Sequence, residues 1–354
     1  MYTFTDMQLA SISITPEILS LIAEIDEFKG SWRVMGELAP EQLSALKKVA
    51  TIESIGSSTR IEGSALSDAE VEALLKNLSR QSFSSRDEQE VAGYAELMQL
   101  LFSSYEHISV TENYICQLHG ELLQHSEKDQ WHRGRYKTLN NHVEAFDASG
   151  RSLGIVFETA SPFETPRRME QLVHWTRQCM EEKSLHPLIV TAVFVVEFLA
   201  IHPFQDGNGR LSRILTTWLL LRAGYTYTPY SSMEALVEQN KEGYYLALRQ
   251  TQGTLQHAQP NWQPWLLFFL RVLQQQKRRL EVKIEQERLL KKQLLPLSLQ
   301  ILSLATSRGR ITVKDIVAFT SANRNTIKKH LEALVQNKQL KKFGVGKGSW
   351  YATR

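Results

Sequence analysis

The sequence predicts a mainly α-helical protein that carries one small β-hairpin inside a helical core and a second one near its end. Apolar residues recur at helical spacing through most of the 354 residues, and apolar alternation is confined to two short stretches. The chain is also too long for one ordinary core. Two or three domains are therefore expected, and the patterns along the chain divide it into four segments, at residues 1–109, 110–255, 256–294 and 295–354.

The first segment is predicted to be helical. Residues 41–62 place apolar side chains on one face at helical spacing, and Gly63 ends that run. Ser67 and Glu70 then have the spacing of a capping box, in which the two side chains satisfy each other's backbone N–H groups. A second helix is therefore expected to begin after Ser67.

The second segment contains the strand-like stretch. Apolar residues alternate on both sides of Asp147-Ala148-Ser149-Gly150, which predicts a hairpin at residues 142–157. Helices are expected at residues 166–182, 187–201 and 208–222. The middle one is apolar nearly all round, so we expect it to be the buried central helix.

The last two segments are predicted to be a connector helix and a small separate domain. Residues 265–293 show one long helical pattern, and Pro296 marks a boundary. Beyond it the pattern predicts three helices, then strands at 340–343 and 349–352. That order is typical of a winged helix-turn-helix.

Charge is divided unevenly along the chain. Residues 291–354 carry 13 Lys and Arg against two acidic residues, a net charge of +11, whereas the rest of the chain carries −8. A basic tail of this kind could bind DNA, although such folds also bind proteins and charge can simply keep a surface solvated. The candidate contacts are Asn323, Arg324, Asn325, Lys328, Lys329, Lys341, Lys342 and Lys347.

Composition also excludes several classes of protein. No apolar run approaches the roughly 20 residues needed to cross a bilayer. The first residues lack the basic and then apolar layout of a secretion signal. Cys116 and Cys179 are the only cysteines, which indicates a reducing compartment without a disulfide framework. We expect a cytoplasmic protein without a membrane partner. The sequence does not decide whether the chain forms a homo-oligomer.

Residues 206–209, Asp-Gly-Asn-Gly, lie between two predicted helices. Gly207 and Gly209 let the backbone turn tightly, so that several N–H groups can converge at the start of the second helix. Such a nest is an anion site. Taken alone, the tetrapeptide is also ordinary turn chemistry.

Ionisable residues around this turn suit a nucleotide. Arg210 and Arg213 share one face of the second helix and could grip phosphates. Asp206 is a hard oxygen ligand suited to Mg²⁺. His202 can act as a base near neutral pH. Together these residues supply the parts that phosphoryl-type transfer needs.

The whole string resembles the Fic family, whose motif is His-Pro-Phe-x-Asp-Gly-Asn-Gly-Arg-x-x-Arg. Residues 202–213 match it at every specified position, and the resemblance extends over roughly residues 110–255. A match at nine fixed positions has a small false-positive risk. The resemblance implies a Fic-type helical core with a hairpin flap.

The resemblance also implies a role for each matched residue. His202 would deprotonate a Tyr, Thr or Ser hydroxyl that attacks the α-phosphorus of ATP, while Asp206 would hold Mg²⁺. Phe204 is more simply a core anchor of the loop. The nucleotide-binding residues would be Gly207, Asn208 and Gly209 around the anion, Arg210 and Arg213 on the β- and γ-phosphates, and Asn240, Tyr244 and Tyr245 near the adenine, where core packing is the alternative for the aromatics.

A second motif resembles the family's inhibitory pattern, Ser/Thr-x-x-x-Glu-Gly/Asn. It matches residues 58–63, with Ser58 and Glu62 at the key positions. A carboxylate at a helix carboxyl end opposes the macrodipole unless a cation meets it. The resemblance implies that Glu62 pairs with Arg213 and occupies the γ-phosphate space; otherwise Glu62 is a solvated helix end.

The sequence therefore predicts a self-inhibited protein adenylyltransferase that moves AMP onto target proteins and onto itself. The hairpin at 142–157 resembles the family's flap and would dock an extended target segment by strand addition, unless it is an ordinary surface hairpin. One rival function is a DNA-binding regulator that uses the core as a nucleotide sensor. Another is transfer of a different nucleotide or of phosphocholine. His119 lacks the spacing of a zinc motif and is predicted to be structural.

Overall fold

The computed structural model describes residues 12–35, 40–77, 83, 85–141, 143–146, 152–293, 296–344 and 346–353. The chain divides into two compact units, Met1–Leu280 and Glu281–Arg354. The boundary between them falls inside the predicted connector helix. The finer boundaries at residues 109, 255 and 294 stay predictions.

Helices make up most of the first unit. The predicted helices and hairpin are confirmed, and none of the described helices has the length and apolar character needed to cross a bilayer. The elements are α1 Pro16–Met35, α2 Pro40–Ile61, α3 Asp68–Leu75, α4 Arg86–Ser104, α5 Glu112–Leu122, β1 Val143–Phe146, β2 Ser152–Phe157, α6 Thr165–Glu182, α7 Pro187–Ile201, α8 Asn208–Arg222, α9 Met233–Gln239, α10 Lys241–Gln252 and α11 Gln263–Gln293. The last part of α11, from Glu281 on, belongs to the second unit.

Helix α1 is an element that the sequence prediction did not locate. Its buried side chains Ile18, Ile22, Ile25 and Trp32 recur at spacings of three, four and seven residues. They form one apolar stripe, the standard signature of an amphipathic helix. The signal was therefore present in the sequence, ahead of the first helix that was predicted.

Helix α7 is the centre of the first unit, as its apolar sequence predicted. Every residue from Leu188 to Ile201 is buried, and the helix packs against α6 and α8. Pro187 occupies the first helical position, where its missing N–H costs nothing. At the other end His202 adopts a left-handed φ of 53°. The buried helix therefore ends at His202, whose backbone conformation is constrained and which begins the loop at 202–207.

The hairpin joins β1 and β2 as an antiparallel pair, with Ala145 opposite Gly154. Its register shifts on both sides of that central part, so the pairing is irregular. The predicted turn at residues 147–150 lies outside the described residues. Phe157, at the end of β2, lines the cavity described below.

The second unit contains three helices followed by an antiparallel pair of strands, in the predicted order. They are α12 Pro296–Arg308, α13 Val313–Thr320, α14 Arg324–Gln336, β3 Leu340–Phe343 and β4 Trp350–Thr353. A single bridge also joins Ile311 to Tyr351. Side chains from all three helices and from the strands form its core, including Ile301, Ile316, Ile327, Leu331, Leu340 and Tyr351.

We predict opposite effects on stability from two glycine substitutions. In α4, a Cβ on Gly93 would collide with the carbonyl oxygen of Leu122, at the end of α5. Gly93→Ala should therefore lower the free energy of unfolding by roughly 1–3 kcal/mol. Gly30 in α1 is exposed, and a Cβ added to it would meet no heavy atom within 4 Å. Gly30→Ala should raise stability by up to about 1 kcal/mol, because alanine favours the helix.

Urea unfolding of both variants at one pH checks this pair. Equal effects of the two substitutions would show that the close approach of α4 and α5 does not depend on Gly93.

Candidate active site

A cavity of about 600 Å³ opens where α8 begins. That volume lies in the range typical of small-molecule sites. Its wall combines the loop after α7, the end of α2, part of α10 and the end of β2. The lining includes Glu62, His202, Asp206, Gly207, Gly209, Arg210, Tyr244 and Tyr245.

His202 presents one ring nitrogen to this cavity. Its Nδ1 lies 3.3 Å from the carbonyl oxygen of Leu199, which can only accept, so Nδ1 carries the proton and Nε2 keeps a lone pair. Burial, assisted by the nearby charge of Lys137, lowers the pKa of His202 to about 4. The imidazole is therefore neutral at pH 7 and can accept a proton.

Two asparagine side chains fix the loop between His202 and α8. Asn208 accepts from the N–H of Phe204 at 2.9 Å and donates to its carbonyl at 2.7 Å. Asn141 also donates to the Phe204 carbonyl, at 2.6 Å, and to that of His202 at 3.2 Å. Asn208, which was predicted to line the anion site, thus uses its side chain for hydrogen bonds within the loop. The residue still lines the cavity, at the start of α8.

A buried lysine, Lys137, supports the same loop through contacts at the end of α7 and with Asn141. The Lys137 ammonium donates to Asn141 Oδ1 at 2.7 Å, to Thr159 Oγ1 at 2.9 Å and to the carbonyl of Ile201 at 3.0 Å. Burial, with a contribution from Arg168, lowers the pKa of Lys137 to about 7. Three oxygen acceptors match the three N–H bonds of the protonated amine. Lys137 therefore fixes the end of α7 and orients Asn141.

His119 supports the loop from the other side. Its ring stacks on Phe204 at 3.8 Å between centroids. The Gly134 N–H donates to Nδ1 at 2.8 Å, so Nε2 bears the hydrogen that it donates to the Asp206 carbonyl at 3.0 Å. Burial is the main reason that the pKa of His119 falls to about 4. His119 is thus structural, as predicted, and it positions Asp206.

Asp206 is the carboxylate of the loop and is 36% exposed. Its Oδ1 accepts from the Gly207 N–H at 2.7 Å, and its Oδ2 lies 2.9 Å from Arg86 Nη2. Burial opposes ionisation, but Arg210, the Gly207 N–H and Arg86 outweigh it and lower the pKa of Asp206. No cluster of three or more His, Cys, Asp or Glu side chains that could hold a metal ion occurs in the described ranges.

Arg210 and Arg213 are both almost completely buried, with side chains 2% and 3% exposed. Arg210 Nη1 forms an ion pair with Glu90 Oε2 at 2.9 Å, but the angle between the two groups is not that of a hydrogen bond. Among the described side chains, Arg210 Nε and Nη1 and Arg213 Nη1 lack a hydrogen-bond acceptor. Buried donors without acceptors are costly, which favours a ligand that supplies oxygens.

Glu62 stands between Arg213 and the cavity. Its Oε1 lies 2.7 Å from Arg213 Nη2, and Arg213 Nε donates to Ser58 Oγ at 2.8 Å. The cavity lining includes Glu62 but not Arg213, so the carboxylate covers the guanidinium. The carboxylate also lies against Gly209, where any Cβ would collide with it. Gly209 thus leaves room for an anionic group at the start of α8, and Glu62 fills that room.

Contacts from α9 and α10 hold the end of α2 in place. Arg60 makes a two-pronged ion pair with Glu238, at 2.7 and 3.0 Å. Lys241 donates to the carbonyl of Ile61 at 2.7 Å, which satisfies a free acceptor at the end of the helix. Glu62 is therefore carried by a fastened helix end.

The structure brings two of the three predicted adenine residues to the cavity. Tyr244 and Tyr245 line it, and Tyr244 also packs edge-on against Trp265. Asn240 lies instead on a separate cavity with Gly243 and Phe268. Asn240 is the N-cap of α10 and has a non-helical φ of −124°, so its side chain does not follow the helical arrangement of Tyr244 and Tyr245.

Several supporting residues were not singled out from the sequence. Lys137, Asn141, Arg86 and Glu90 act on the loop or on its flanking helices from other segments. The contacts of Lys137 with Ile201, of Asn141 with His202 and of Arg86 with Asp206 each join residues at least 61 positions apart. No motif or periodicity signals such contacts. The Glu90–Arg86 spacing of four residues was the one local clue.

Comparison with known proteins identifies the domain that holds this site. Residues 109–220 match the model of the Fic/DOC family. The chain is 29% identical over 224 residues to the protein adenylyltransferase Fic of Drosophila mojavensis, covering 61% of this chain and 42% of that protein. It is also 29% identical over 206 residues to the protein of that name from Drosophila grimshawi, covering 58% and 40%.

Solved structures share the fold. A Fic family protein from Desulfovibrio desulfuricans G20 aligns over 97% of both chains, with 24% identity and a TM-score of 0.63. A Fic domain-containing signaling protein from Bacteroides thetaiotaomicron covers 72% of this chain and 94% of its own, with 24% identity and a TM-score of 0.59. The chain therefore contains a Fic/DOC family domain with the family's helical fold. It spans less than half the length of the curated relatives named above.

We predict that His119 makes the fold sensitive to acid. Its pKa is lowered from 6.5 to about 4 in the fold, so the unfolded chain binds the proton first as pH falls. Stability is then lost between about pH 6.5 and 4, by up to about 1.4 kcal/mol per pH unit. His119→Asn should be less stable than the parent at pH 7, and the two stability curves should converge toward pH 4.5.

Urea unfolding at several pH values, followed by tryptophan fluorescence, measures the convergence. His174→Asn, at an exposed position on α6, is the control and should leave the slope unchanged. Parallel curves for His119→Asn and the parent would contradict the assignment of the neutral, Nε2-protonated form.

Proposed function

We propose that this protein is an adenylyltransferase that moves AMP from ATP to Tyr, Thr or Ser hydroxyls of target proteins and of itself. The observation that carries the proposal is the convergence, in one cavity, of a neutral histidine with a free lone pair, a carboxylate and buried guanidinium donors without acceptors. The match to the Fic/DOC family and the names of the relatives support it.

The proposed reaction is one in-line displacement. The acceptor hydroxyl gives its proton to His202 Nε2 as its oxygen attacks the α-phosphorus, and the bond to the β-phosphate oxygen breaks to release pyrophosphate. Negative charge on the bound phosphates would raise the pKa of His202 from its low value in the free protein. Arg210 would meet the β-phosphate, and Arg213 the γ-phosphate once Glu62 withdraws.

Asp206 is the residue that would hold Mg²⁺. Its carboxylate is accessible from the cavity, and a single carboxylate plus phosphate oxygens is a usual environment for this ion. Bound there, the ion would neutralise phosphate charge during transfer. The start of α8, with Gly207 and Gly209, would receive a phosphate through its N–H groups.

Two surfaces complete the proposed site. Tyr244 and Tyr245 would pack beside the adenine, since both line the cavity next to the phosphate groups. The β1–β2 hairpin would dock the target segment by adding a strand, because Phe157 at its end reaches the same cavity. Docking through backbone bonds would position the hydroxyl with little demand on target sequence.

Glu62 is the proposed brake. It already neutralises Arg213, and it fills the space beside Gly209 that a terminal phosphate would need. ATP could then bind only with its γ-phosphate displaced, so that the α-phosphorus would miss the attack line. Removing the Glu62 carboxylate should therefore release activity, whereas a regulator that only senses nucleotide would show none.

We predict that Glu62→Gly converts the chain into an active enzyme. Incubated with ATP and Mg²⁺, it should gain the mass of one adenylyl group or more, faster than the parent. Adding His202→Ala to Glu62→Gly should slow the gain by roughly 10²–10⁴-fold, the usual worth of a general base.

Intact-mass spectrometry measures this, and α-labelled ATP in cell extract extends it to targets. Glu62→Gln is the matched control, because it keeps the side chain's size and loses its charge; partial activation is expected. If Glu62→Gly gains no mass with ATP, whether or not extract is present, the proposal fails.

A second candidate function, DNA binding by the tail, is favoured by the charge of residues 291–354 and by the exposed basic face of α14. Lys328 and Lys329 are exposed there, as are Lys341 and Lys342 on β3. The order of three helices and a hairpin is that of a winged helix-turn-helix, in which the third helix meets the major groove. The Asn323 side chain is occupied in capping α14, and the side chain of Lys347 lies outside the described residues.

We predict that the full chain binds duplex DNA in low salt and that Lys328→Glu/Lys329→Glu weakens this binding. The slope of log affinity against log salt should fall by about two, one for each lost phosphate contact. Arg177→Glu/Lys183→Glu removes the same charge from exposed positions of the first unit and should change binding little. Fluorescence anisotropy at several salt concentrations tests this, and equal losses in the two variants would leave no specific role for α14.

A further inference from the structure

Helix α4 contributes two charged residues to the loop that neither the motif nor the inhibitory pattern includes. Arg86 Nε lies 2.8 Å from Glu90 Oε1, and Arg86 Nη2 lies 2.9 Å from Asp206 Oδ2. Glu90 Oε2 is in turn 2.9 Å from Arg210 Nη1, which closes the circuit through Arg210 Nη2 and Asp206 Oδ2 at 3.5 Å. Two cations and two anions therefore alternate around a ring that includes the loop's carboxylate and one of its arginines.

The position of Arg86 is unfavourable for the helix itself. It follows the N-cap Ser85, in the first turn of α4, where the helix dipole disfavours positive charge. Its guanidinium nevertheless turns to Glu90 and across to Asp206, 120 residues further along the chain. The ion pairs compensate the unfavourable position, so the placement of Arg86 depends on the loop as well as on α4.

The ring also engages both oxygens of Asp206. One oxygen accepts from the Gly207 N–H, and the other is held by Arg86. A divalent cation placed on that second oxygen would meet the guanidinium at close range, where like charges repel. Cation and Arg86 are therefore alternatives at Asp206.

Exposure indicates which member of the ring can leave. The side chain of Arg86 is 47% exposed, whereas those of Glu90 and Arg210 are 10% and 2% exposed. Half-exposed ion pairs are weak, because water replaces the partner at low cost. Arg86 can thus turn out to solvent while Glu90 keeps Arg210 in place.

We propose that Arg86 is a second restraint on the nucleotide site, which occupies Asp206 until a divalent cation displaces it. The inference rests on the proposed role of Asp206 as the cation ligand. It differs from the Glu62 brake in position and in target, since Glu62 covers Arg213 and Arg86 covers Asp206. Release of Glu62 therefore leaves this restraint in place.

The test is a Mn²⁺ titration of the nucleotide-free chain, followed by electron paramagnetic resonance of the unbound ion. Arg86→Gln should bind Mn²⁺ roughly two- to fivefold more tightly than the parent, the upper part of the range that a half-exposed ion pair corresponds to. Adding Asp206→Asn should abolish the gain. Arg86→Lys keeps the positive charge but loses the guanidinium fork that reaches both Glu90 and Asp206, so its Mn²⁺ affinity should lie between those of the parent and Arg86→Gln.

Arg271→Gln is the matched control, because Arg271 is also half exposed and pairs with Glu17 away from the cavity. It removes the same charge and should leave Mn²⁺ affinity unchanged. The proposal is overturned if Arg86→Gln and Arg271→Gln behave alike, if Arg86→Gln binds Mn²⁺ no more tightly than the parent, or if its gain survives Asp206→Asn.

A second readout separates this inference from the proposed function. In the Glu62→Gly background, Arg86→Gln should lower the Mg²⁺ concentration that gives half-maximal AMP transfer by a similar factor. If Glu62→Gly transfers no AMP, the function fails, yet the Mn²⁺ titration still decides whether Arg86 restrains Asp206.

Discussion

Two guanidinium groups buried at the start of α8 set the conditions for the rest of the site. Removing a charge from water costs several kcal/mol per ion unless a partner meets it. Arg213 finds Glu62 and Ser58 on the end of α2, and Arg210 finds Glu90 on α4. The amino-terminal helices therefore do more than cover the Fic/DOC domain, because they supply countercharges to its buried arginines.

The charges gathered around these arginines also account for two residues that oppose the dipoles of their own helices. Glu62 follows the carboxyl end of α2, and Arg86 lies in the first turn of α4, so each opposes the dipole of its own helix. Each is compensated by a group of the loop, Arg213 in one case and Asp206 in the other. A polyphosphate with a divalent cation would bring the same charges as this pair, with the anion toward Arg213 and the cation toward Asp206. The resting protein thus contains an internal substitute for its proposed ligand.

Much of the fold and of the loop could be predicted from local sequence. What could not be predicted has physical reasons. The helices and the hairpin follow from periodicity, and the loop residues follow from a contiguous motif whose members are neighbours in any fold. Lys137, Asn141 and Arg86 could not be assigned, because their roles depend on contacts between distant segments. Asn240 shows a different limit: the family resemblance alone suggested it, and a residue at the non-helical N-cap of α10 takes a direction that a sequence pattern does not determine. Helix α1 was within reach of the periodicity argument.

Regulation of such a site is more readily achieved by occupying it than by distorting it. His119, Asn141 and Asn208 all bond to backbone groups of the loop, and Lys137 fixes the helix end before it. A loop held at so many points is preorganised, as electrostatic catalysis requires, and moving it would break several buried hydrogen bonds at once. The side chains that could give way to a ligand with less disturbance are Glu62, which lines the cavity, and the half-exposed Arg86. The end of α2 and the start of α4 therefore supply the charged groups through which the proposed regulation would act, while the loop at 202–207 stays fixed.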